Sequence, residues 1–404
     1  MKRGSPRRRR HRGPDSGITG SRVVIADRGG REACRLRGEV ALLRSVGVEE
    51  ELLLVDAATW EPHAVSAAVL ETAGRAGGGD HGFQKELHGQ QLEFATRPRT
   101  EMTELAAEIR ERRAEAAEYA GKAGAAVAAL ATSPLPFESA INPDDRYLWM
   151  EREFGPITRA QLTCGCHVHV SVESDEEGVA VLDRIRPWLS VLLALTGNSP
   201  FWRGQDSGYS SYRSRVWGRW PSAGPVEIFG SAAGYHDYVA SMVATGVLRD
   251  PAMAYFDARL AERYPTVEVR VADVCLDAST TVLLAALVRG LVETAAREWR
   301  EREPPLPHRV GSLRLASWRA GRSGLEDRLV HPLTMRPAPA EAVVRSLLAH
   351  VRDALRDDGD LSFAEDGLGR LLRTGNAARV QRDVLRRTGS LHAMVAECVR
   401  RTQS

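Results

Sequence analysis

Lysine is almost missing from this sequence. Only Lys2, Lys85 and Lys122 occur among its 404 residues, within a total of 55 lysines and arginines. Arginine therefore supplies nearly all the positive charge, and an anionic ligand must be bound largely by guanidinium groups, whose planar fork matches carboxylates and phosphates. The motif G-x-x-x-x-G-K-[ST] does not occur. A P-loop is thereby excluded, and if a nucleotide binds, metal and arginine must hold it.

Cysteine and long apolar runs are also scarce. The chain has five cysteines, and an odd number in a chain of this length does not suggest a disulfide framework. No uninterrupted apolar stretch approaches the roughly 20 residues that a membrane-spanning helix requires. These absences predict reduced thiols, no membrane partner and a cytoplasmic location.

Positive charge is concentrated at the start of the chain. Residues 1–44 contain thirteen lysines and arginines against four acids, a local charge of +9; because the whole chain carries +2, the remainder carries −7. The opening MKRGSPRRRRHRGP has no apolar cluster, and no apolar run that would complete a secretion signal follows it. Nucleic-acid binding or targeting is one interpretation. We predict instead a disordered basic extension over residues 1–43, followed by one folded domain over residues 44–404.

Hydrophobic periodicity predicts strands separated by long helices. Strands are expected at 44–56, 90–96, 162–172, near 253–258 and at 265–273. Helices are expected from about 101 to 131, 178 to 196, 234 to 249 and 279 to 303. Residues 310–404 have a mostly amphipathic helical pattern, which could support a homodimer. Because strands and helices do not alternate regularly, the pattern favours an α+β domain around an antiparallel sheet over a doubly wound fold.

The first strand carries three consecutive glutamates. In VGVEEELLLVD, side chains alternate between the two faces, so Glu49 and Glu51 point the same way while Glu50 shares the apolar face with Val48 and Leu52. Two carboxylates on one face, roughly 7 Å apart, repel each other unless a cation lies between them. A divalent metal such as Mg²⁺ meets this need, and bridging arginines are the alternative. For Glu50 we expect an arginine partner.

The same alternation places further charged residues on strand faces. In QLEFA, Glu93 points away from Leu92 and Phe94, and in TVEVRVADV, Glu268 and Arg270 project together, opposite three valines. A carboxylate beside a guanidinium suits a metal-bound phosphate. For each strand taken singly, a surface ion pair that contributes little energy is the simpler explanation. The recurrence in three strands favours a shared site.

The run CGCHVHV brings together residue types that also bind zinc. In a strand, however, Cys164 and Cys166 lie on one face, and His167 and His169 lie on the other. The cysteines are then core residues. His167 faces the acidic side, where it is a candidate metal ligand or phosphate contact, and a purely structural histidine is an equal alternative.

Residues 198–225 have no sustained period and are rich in aromatic side chains. Long irregular segments are often functional, and the aromatic content indicates order. Arg213, Arg215 and Arg219 alternate here with tyrosine and tryptophan, an arrangement that can hold anions over aromatic rings. Nucleic acid is one such anion, but the charge of −7 outside the basic extension argues against it. A local substrate-binding loop fits better.

Six segments together resemble the carboxylate-amine ligases of the glutamate–cysteine ligase type 2 group. They are GVEEELLLVD at 47–56, QLEFATRP at 91–98, CGCHVHVSV at 164–172, NSPFWRGQDSGYSSYRSRVWGRWP at 198–221, RYPTVEVRVADVC at 263–275 and RTGNAARVQR at 373–382. They follow the family's order across most of residues 45–390. Cys166 replaces the leucine or methionine usual at that position, on the apolar face.

The resemblance implies a fold and an activity. The fold is expected to be similar to glutamine synthetase: α+β, with a curved antiparallel sheet flanked by helices, and with residues 44–404 as the catalytic domain. The activity is expected to be that of an ATP-dependent ligase. Such an enzyme activates a carboxylate, often the γ-carboxylate of glutamate, as an acyl phosphate and joins it to an amine such as that of cysteine. ATP and Mg²⁺ are the implied cofactors.

The resemblance also implies roles for individual residues. Four acids correspond to metal ligands: Glu49, Glu51, Glu93 and Glu268. His167 corresponds to a metal or phosphate contact, and Arg270 to the arginine that stabilises phosphate. Arg213 is our candidate for binding the substrate carboxylate or the acyl phosphate.

Two other functions are compatible with the sequence. A metal-dependent amidohydrolase could use His167 and His169 as an H-x-H pair, although it normally needs further histidines and often a lysine, and no lysine follows Lys122. A non-catalytic relative that binds a nucleotide or an amino acid could retain the same motifs.

Overall fold

An antiparallel sheet of seven strands organises the fold in the residues that the computed structural model describes, 43–77 and 82–404. The strands are β1 (Val46–Asp56), β2 (Phe83–Lys85), β3 (Gln91–Ala95), β4 (Ala125–Ala128), β5 (Gly165–Ser171), β6 (Phe201–Trp202), β7 (Gln205–Asp206), β8 (Ala258–Leu260), β9 (Thr266–Asp273), β10 (Arg328–Val330) and β11 (Pro337–Pro339). The sheet has the order β2-β3-β1-β5-β9-β8, and β4 also pairs with β1; β6–β7 and β10–β11 are separate hairpins. Residues 1–42 of the predicted basic extension lie outside the described residues.

Helices make up most of the remainder. They are α1 (Ser66–Gly77), α2 (Met102–Lys122), α3 (Asp145–Phe154), α4 (Pro156–Arg159), α5 (Asp175–Ile185), α6 (Leu189–Thr196), α7 (Arg213–Trp217), α8 (Ala232–Ala244), α9 (Ala278–Arg300), α10 (Val310–Ser323), α11 (Ala340–Asp357), α12 (Leu361–Thr374), α13 (Ala377–Thr388) and α14 (Leu391–Thr402). Asp144, Ser174, Ser231 and Ser390 cap α3, α5, α8 and α14 by accepting a backbone N–H of the first turn.

β1 is the centre of the sheet because its eleven residues pair with three other strands. Its first half lies between β3 and β5, with Glu51 opposite Glu93 and Glu49 opposite His167. Directly opposed residues of antiparallel strands have neighbouring side chains on one face. This register therefore gathers the charged side chains on one face of the sheet, here called the site face.

The opposite face of the sheet is buried against helices. Val48, Val168 and Val269 are at most 1% exposed and belong to a core that includes residues of α5, α6, α9 and α11. Among the described residues, α9 is the one helix long and apolar enough to cross a membrane, but 83% of its apolar window is buried inside the protein. That burial is typical of a core helix.

Glu50 lies on this buried face and has the arginine partner that the sequence predicted. Arg113 of α2 donates to it through two nitrogens, Nε to Oε2 at 2.8 Å and Nη2 to Oε1 at 2.7 Å. Thr281 of α9 donates to Oε1 at 2.6 Å, and Arg113 also donates to the backbone carbonyls of Cys275 and Thr402. The charges are paired and hydrogen-bonded, which is the condition under which a buried ion pair is tolerated.

The predicted helix from 101 to about 131 is too long. α2 ends at Lys122, and residues 125–128 form β4, which pairs with Leu53–Asp56 of β1. Alanine favours a helix in isolation. Here the pairing of a buried strand with β1 outweighs that preference.

Two further predicted elements differ from the observed ones. The single helix expected at 178–196 is divided into α5 and α6, because Pro187 has no N–H to donate and interrupts the helix. The strand expected near 253–258 lies later in the chain, as β8, after a 3₁₀ turn at Pro251–Met253. The irregular stretch 198–225 contains β6, β7 and α7, so it is ordered, as its aromatic content indicated.

Candidate active site

A cavity of about 320 Å³ lies over the site face of the sheet. Strands β1, β3, β5 and β9 contribute charged side chains to it, while Tyr147 of α3 and Trp217 of α7 supply aromatic walls. Six of the seven predicted site residues line this cavity: Glu49, Glu51, Glu93, His167, Glu268 and Arg270. Residues far apart in the sequence therefore share one concave surface.

Glu49, His169 and Glu268 form a group that could hold a metal ion. One ligand atom from each lies within 4.8 Å of the other two. His169 is opposite Glu268 in the β5–β9 pair, and its Nε2 lies 3.3 Å from Oε1 of Glu49. The strand pattern placed His169 on the acidic face, but for the ligase only His167 was predicted as a ligand, and His169 was considered only for the amidohydrolase alternative. The geometry adds His169 to the candidates.

His167 lies in the middle of the acidic cluster. Its Nδ1 is 3.1 Å from Oε2 of Glu49 and 3.8 Å from Oε1 of Glu268, and its Nε2 is 3.9 Å from Oε1 of Glu51. Burial, followed by the positive charge of Arg270, lowers the pKa of His167 to about 4. The imidazole is therefore neutral near pH 7 and offers a lone pair to a metal or a proton donor.

Glu49 and Glu268 stay ionised although Glu268 is buried and Glu49 is half-buried. Burial opposes the ionisation of Glu49, but hydrogen bonds to the two neighbouring histidines outweigh it and hold the pKa of Glu49 well below its ordinary value. For Glu268, the charges of Arg270 and Arg259 outweigh burial and lower its pKa. Nε of Arg259 lies 2.7 Å from Oε2 of Glu268, and Arg270 donates to Oε1. This carboxylate thus orients two guanidinium groups.

Glu51 and Glu93 differ because burial, and after it the neighbouring like charges, opposes their ionisation. Burial, followed by the charge of Glu86, raises the pKa of Glu51 to about 7, and the same two causes raise the pKa of Glu93 well above its ordinary value. Oε2 of Glu51 accepts the backbone N–H of Gly165 at 2.7 Å. Glu51 and Glu93 are therefore not readily ionised together along this side of the cavity.

This donor set fits a divalent cation. Carboxylate oxygens suit Mg²⁺, and a positive ion would allow Glu51 and Glu93 to be ionised together, which their raised pKa values otherwise oppose. Imidazole nitrogens also bind softer divalent ions such as Mn²⁺ or Zn²⁺. Nε2 of His167 is buried and has no hydrogen-bond partner within the described part of the chain, so this nitrogen is available as a further metal ligand.

Arg213, the seventh predicted residue, lies beside this cavity rather than in its wall. It lines a neighbouring cavity of about 180 Å³ that shares Trp217 and Arg270 with the first. The two guanidinium carbons are 5.5 Å (Arg213) and 5.8 Å (Arg270) from the centre of the Trp217 ring, within cation–π range. Arg213 is 1% exposed and packs on Gly165. Its charge is therefore held inside the protein next to the site.

Glu86 and Arg259 also line the cavity and were not predicted from the sequence. Glu86 follows the three-residue strand β2, which is too short to show an alternation. Arg259 is opposite Glu268 in the β8–β9 pair. The prediction put this strand several residues too early, so its alternation could not be used.

Comparison with known proteins identifies the family. A family model described as Glutamate-cysteine ligase family 2 matches residues 45–398. The chain belongs to this family. A Streptomyces avermitilis protein named "Putative glutamate--cysteine ligase 2-1" is 63% identical over 361 residues, which cover 89% of this chain and 100% of that protein. A relative of the same name from Paenarthrobacter aurescens is 47% identical over 372 residues, 91% of this chain and 97% of the relative.

Solved structures share the fold of this glutamate–cysteine ligase family 2 member. A glutamate–cysteine ligase from Francisella tularensis in complex with AMP aligns with a TM-score of 0.67 at 13% identity, covering 89% of this chain and 88% of that chain. A bifunctional glutathione synthetase from Pasteurella multocida aligns with a TM-score of 0.64 at 14% identity, covering 89% of this chain and 52% of that chain. The predicted family is confirmed, and so is the predicted α+β fold with an antiparallel sheet flanked by helices.

Proposed function

We propose that this protein is an ATP-dependent carboxylate-amine ligase that joins the γ-carboxylate of glutamate to the amine of cysteine. Glutamate and cysteine are suggested by the names of its relatives. The observation that carries the proposal is the convergence of acids from β1, β3 and β9 with Arg270 on one cavity. Transfer of a phosphoryl group from ATP is catalysed by bound metal ions and cationic side chains that neutralise the developing charge, and this cavity offers ligands for such ions as well as such side chains.

The acids of the cavity are the proposed Mg²⁺ ligands. Glu49 and Glu268, with His169 or His167, would hold one ion, and Glu51 and Glu93 would hold another. When bound, Mg²⁺ neutralises the triphosphate and draws electron density from the phosphorus that is attacked.

The proposed reaction has two steps. A carboxylate oxygen of the acid attacks the γ-phosphorus of ATP, an O–P bond forms and ADP leaves. The neutral amine nitrogen then attacks the acyl carbon: a C–N bond forms, the acyl C–O bond breaks, phosphate leaves with the bonding electron pair, and the nitrogen loses a proton to the departing phosphate or to water.

The contribution of the chain to these steps is positioning and charge. Arg270, oriented by its bond to Glu268, would donate to the transferring phosphoryl oxygens. Its Nε is buried and makes no hydrogen bond to the described residues, so it is available to an anion. Arg213, whose Nε and Nη2 are available in the same way, would bind the substrate carboxylate or the acyl phosphate.

The test is phosphate release with ATP, Mg²⁺ and a panel of amino acids, followed by mass spectrometry of the products. We expect release that requires both an acid and an amine, together with a conjugate lighter than the sum of its parts by one water. Conversion of an amide without ATP would support the amidohydrolase alternative. ATP binding without amine-dependent turnover would support a non-catalytic relative. Either result would overturn the proposal.

We also propose that the catalytic domain begins at residue 44. The family match starts at residue 45, and the buried Arg44 bonds Glu177 and Glu293, each at 2.8 Å. Deleting residues 1–43 should leave kcat and each KM within about twofold of the full chain. Deleting residues 1–44 removes Arg44 as well and should lower the melting temperature. Loss of turnover in the shorter deletion would contradict this boundary.

We place the enzyme in the cytoplasm, consistent with four free, buried cysteines in the described part.

A further inference from the structure

Asp273 is a fully buried carboxylate that does not line the cavity. It ends β9, three residues after Arg270. Oδ2 accepts the backbone N–H of Asn198 at 2.8 Å and the hydroxyl of Ser199 at 2.7 Å, while Oδ1 accepts the hydroxyl of Ser211 at 2.8 Å. Strand β9 is thereby hydrogen-bonded to the aromatic-rich segment 198–225 at two points, residues 198–199 and residue 211.

The hydroxyls of Ser199 and Ser211 also accept hydrogen bonds from backbone N–H groups at the start of α7. The hydroxyl oxygen of Ser199 accepts the backbone N–H of Arg213 at 2.9 Å, and that of Ser211 accepts the backbone N–H of Ser214 at 3.3 Å. The first N–H groups of a helix have no partner within the helix. Because both hydroxyl hydrogens are directed at the carboxylate, the oxygen lone pairs are left facing these N–H groups.

Arg213 depends on this backbone for its position. Its Nε and Nη2 make no hydrogen bond to the described residues, and Nη1 is 4.0 Å from Oδ1 of Asp273, beyond hydrogen-bond distance. The guanidinium also leaves no room for a side chain on Gly165, since a Cβ there would be 2.2 Å from Nη2. Packing, the placement of α7 and the charge of Asp273 at 4.0 Å, rather than side-chain hydrogen bonds, therefore locate this guanidinium group.

The opposite side of the same segment is held by α13. Gln381 donates to the side-chain and backbone oxygens of Asn198 at 2.7 and 3.0 Å. Asn376, just before α13, donates to the hydroxyl of Ser210 at 2.8 Å. These contacts assign a structural role to residues 373–382 (RTGNAARVQR), for which the sequence alone suggested none.

We propose that Asp273 is a positioning residue: through Ser199 and Ser211 it fixes the start of α7 and thereby places the Arg213 guanidinium between Gly165 and Trp217, beside the reaction site. The effect on turnover rests on the proposed function, whereas the effect on α7 does not. Any buried aspartate could stabilise the fold, so the test must separate positioning from stability.

The decisive variant is D273N, with D360N as the matched control. Asparagine has the shape of aspartate, but an NH₂ group replaces one carboxylate oxygen, so that either the backbone N–H of Asn198 faces a donor or the hydroxyl of Ser211 must turn and accept instead of donate. Asp360 is also a buried carboxylate, and it pairs with Arg289 well apart from α7 in the fold. Both variants lose a buried charge, but only D273N breaks the connection to α7.

Two readouts decide the matter. Hydrogen exchange of the peptide amides at 211–217 should become about tenfold faster or more in D273N and stay unchanged in D360N. The KM for the acid substrate should rise about tenfold or more in D273N, with the KM for ATP within about twofold of wild type. The same pattern, smaller in size, is expected for S199A and not for S133A, which removes another buried hydroxyl.

Several outcomes would overturn the inference. One is equal exchange and equal KM values in D273N and D360N. Another is faster exchange at 211–217 with an unchanged KM for the acid, because α7 would then move without consequence. If wild type shows no turnover at all, the proposed function fails and exchange alone decides whether Asp273 fixes α7. If D273N does not fold, S199A and S133A carry the same comparison.

Discussion

Replacement of Gly165 by alanine tests the role of Arg213 with a single methyl group. A Cβ at position 165 would lie 2.2 Å from Nη2 and 2.9 Å from Cζ of Arg213. Ordinary contact begins near 3.4 Å, so the guanidinium must move by roughly 1.2 Å. The backbone N–H that Gly165 donates to Glu51 is kept in the variant.

The structure indicates a small cost in stability and a large cost in activity. Overpacking in a core typically costs about 1–3 kcal/mol, and we expect the low end because Nε and Nη2 of Arg213 break no hydrogen bonds to the described residues when they move. A displacement of about 1 Å in a reacting or binding group can cost about 100-fold in rate. That factor corresponds to about 2.7 kcal/mol of transition-state stabilisation.

The assay compares G165A with G47A by thermal unfolding and by kcat/KM for the acid and for ATP. Gly47 is also in the sheet, but a Cβ there would meet only Cβ of His169 at 3.9 Å, an ordinary contact. We expect near-normal kcat/KM in G47A and about a 100-fold lower kcat/KM for the acid in G165A. A G165A variant within about threefold of wild type would refute the proposed task of Arg213.

The remaining predictions concern the buried pair, the cavity and pH. R113M should lower the free energy of unfolding by about 3–5 kcal/mol, because it leaves the Glu50 charge unpaired; urea titration should find the double variant E50L/R113M more stable than R113M, and the reverse order would contradict this. E51Q should abolish Mg²⁺-dependent ADP release without lowering the melting temperature, since burial and a like charge already raise the pKa of Glu51 to about 7; near-normal turnover would refute a metal role. His350 stacks on Trp188, and burial lowers its pKa to about 4. Because that pKa is below the unfolded value of about 6.5, stability present above pH 6.5 should fall by about 2 kcal/mol between pH 7 and pH 5. H350Q should lack this part of the pH dependence, and an identical pH profile in H350Q would exclude it.

The alternation of side chains in strands was the part of the site that sequence could predict. It sorted Glu49 and Glu51 from Glu50 correctly, because a period of two is a property of the strand itself and needs no knowledge of its neighbours. The arginine partner of Glu50 followed from the cost of burying a charge alone. Which arginine it would be depended on the packing of α2, and this was not visible in the sequence.

The parts that sequence could not predict depend on pairing between strands. β4 is an alanine-rich segment whose extended form is favoured by its contact with β1, so its own composition was misleading. Glu86 follows β2 and Arg259 lies within β8; each strand has only three residues, too few for an alternation of side chains to be recognised. The neutral state of His167 likewise depends on burial and on Arg270, a neighbour supplied by another strand.

The hydrogen bonds of Arg113 connect parts of the chain that are synthesised at very different times. Its charge partner Glu50 lies near the beginning of the described domain, but one carbonyl that it contacts belongs to Thr402, in the last turn of α14. The hydroxyl of Thr402 also accepts the backbone N–H of Ala129. During synthesis Glu50 and Arg113 therefore leave the ribosome long before Thr402, and the hydrogen bonds around Arg113 on the buried face of the sheet are completed only after α14 has left the exit tunnel.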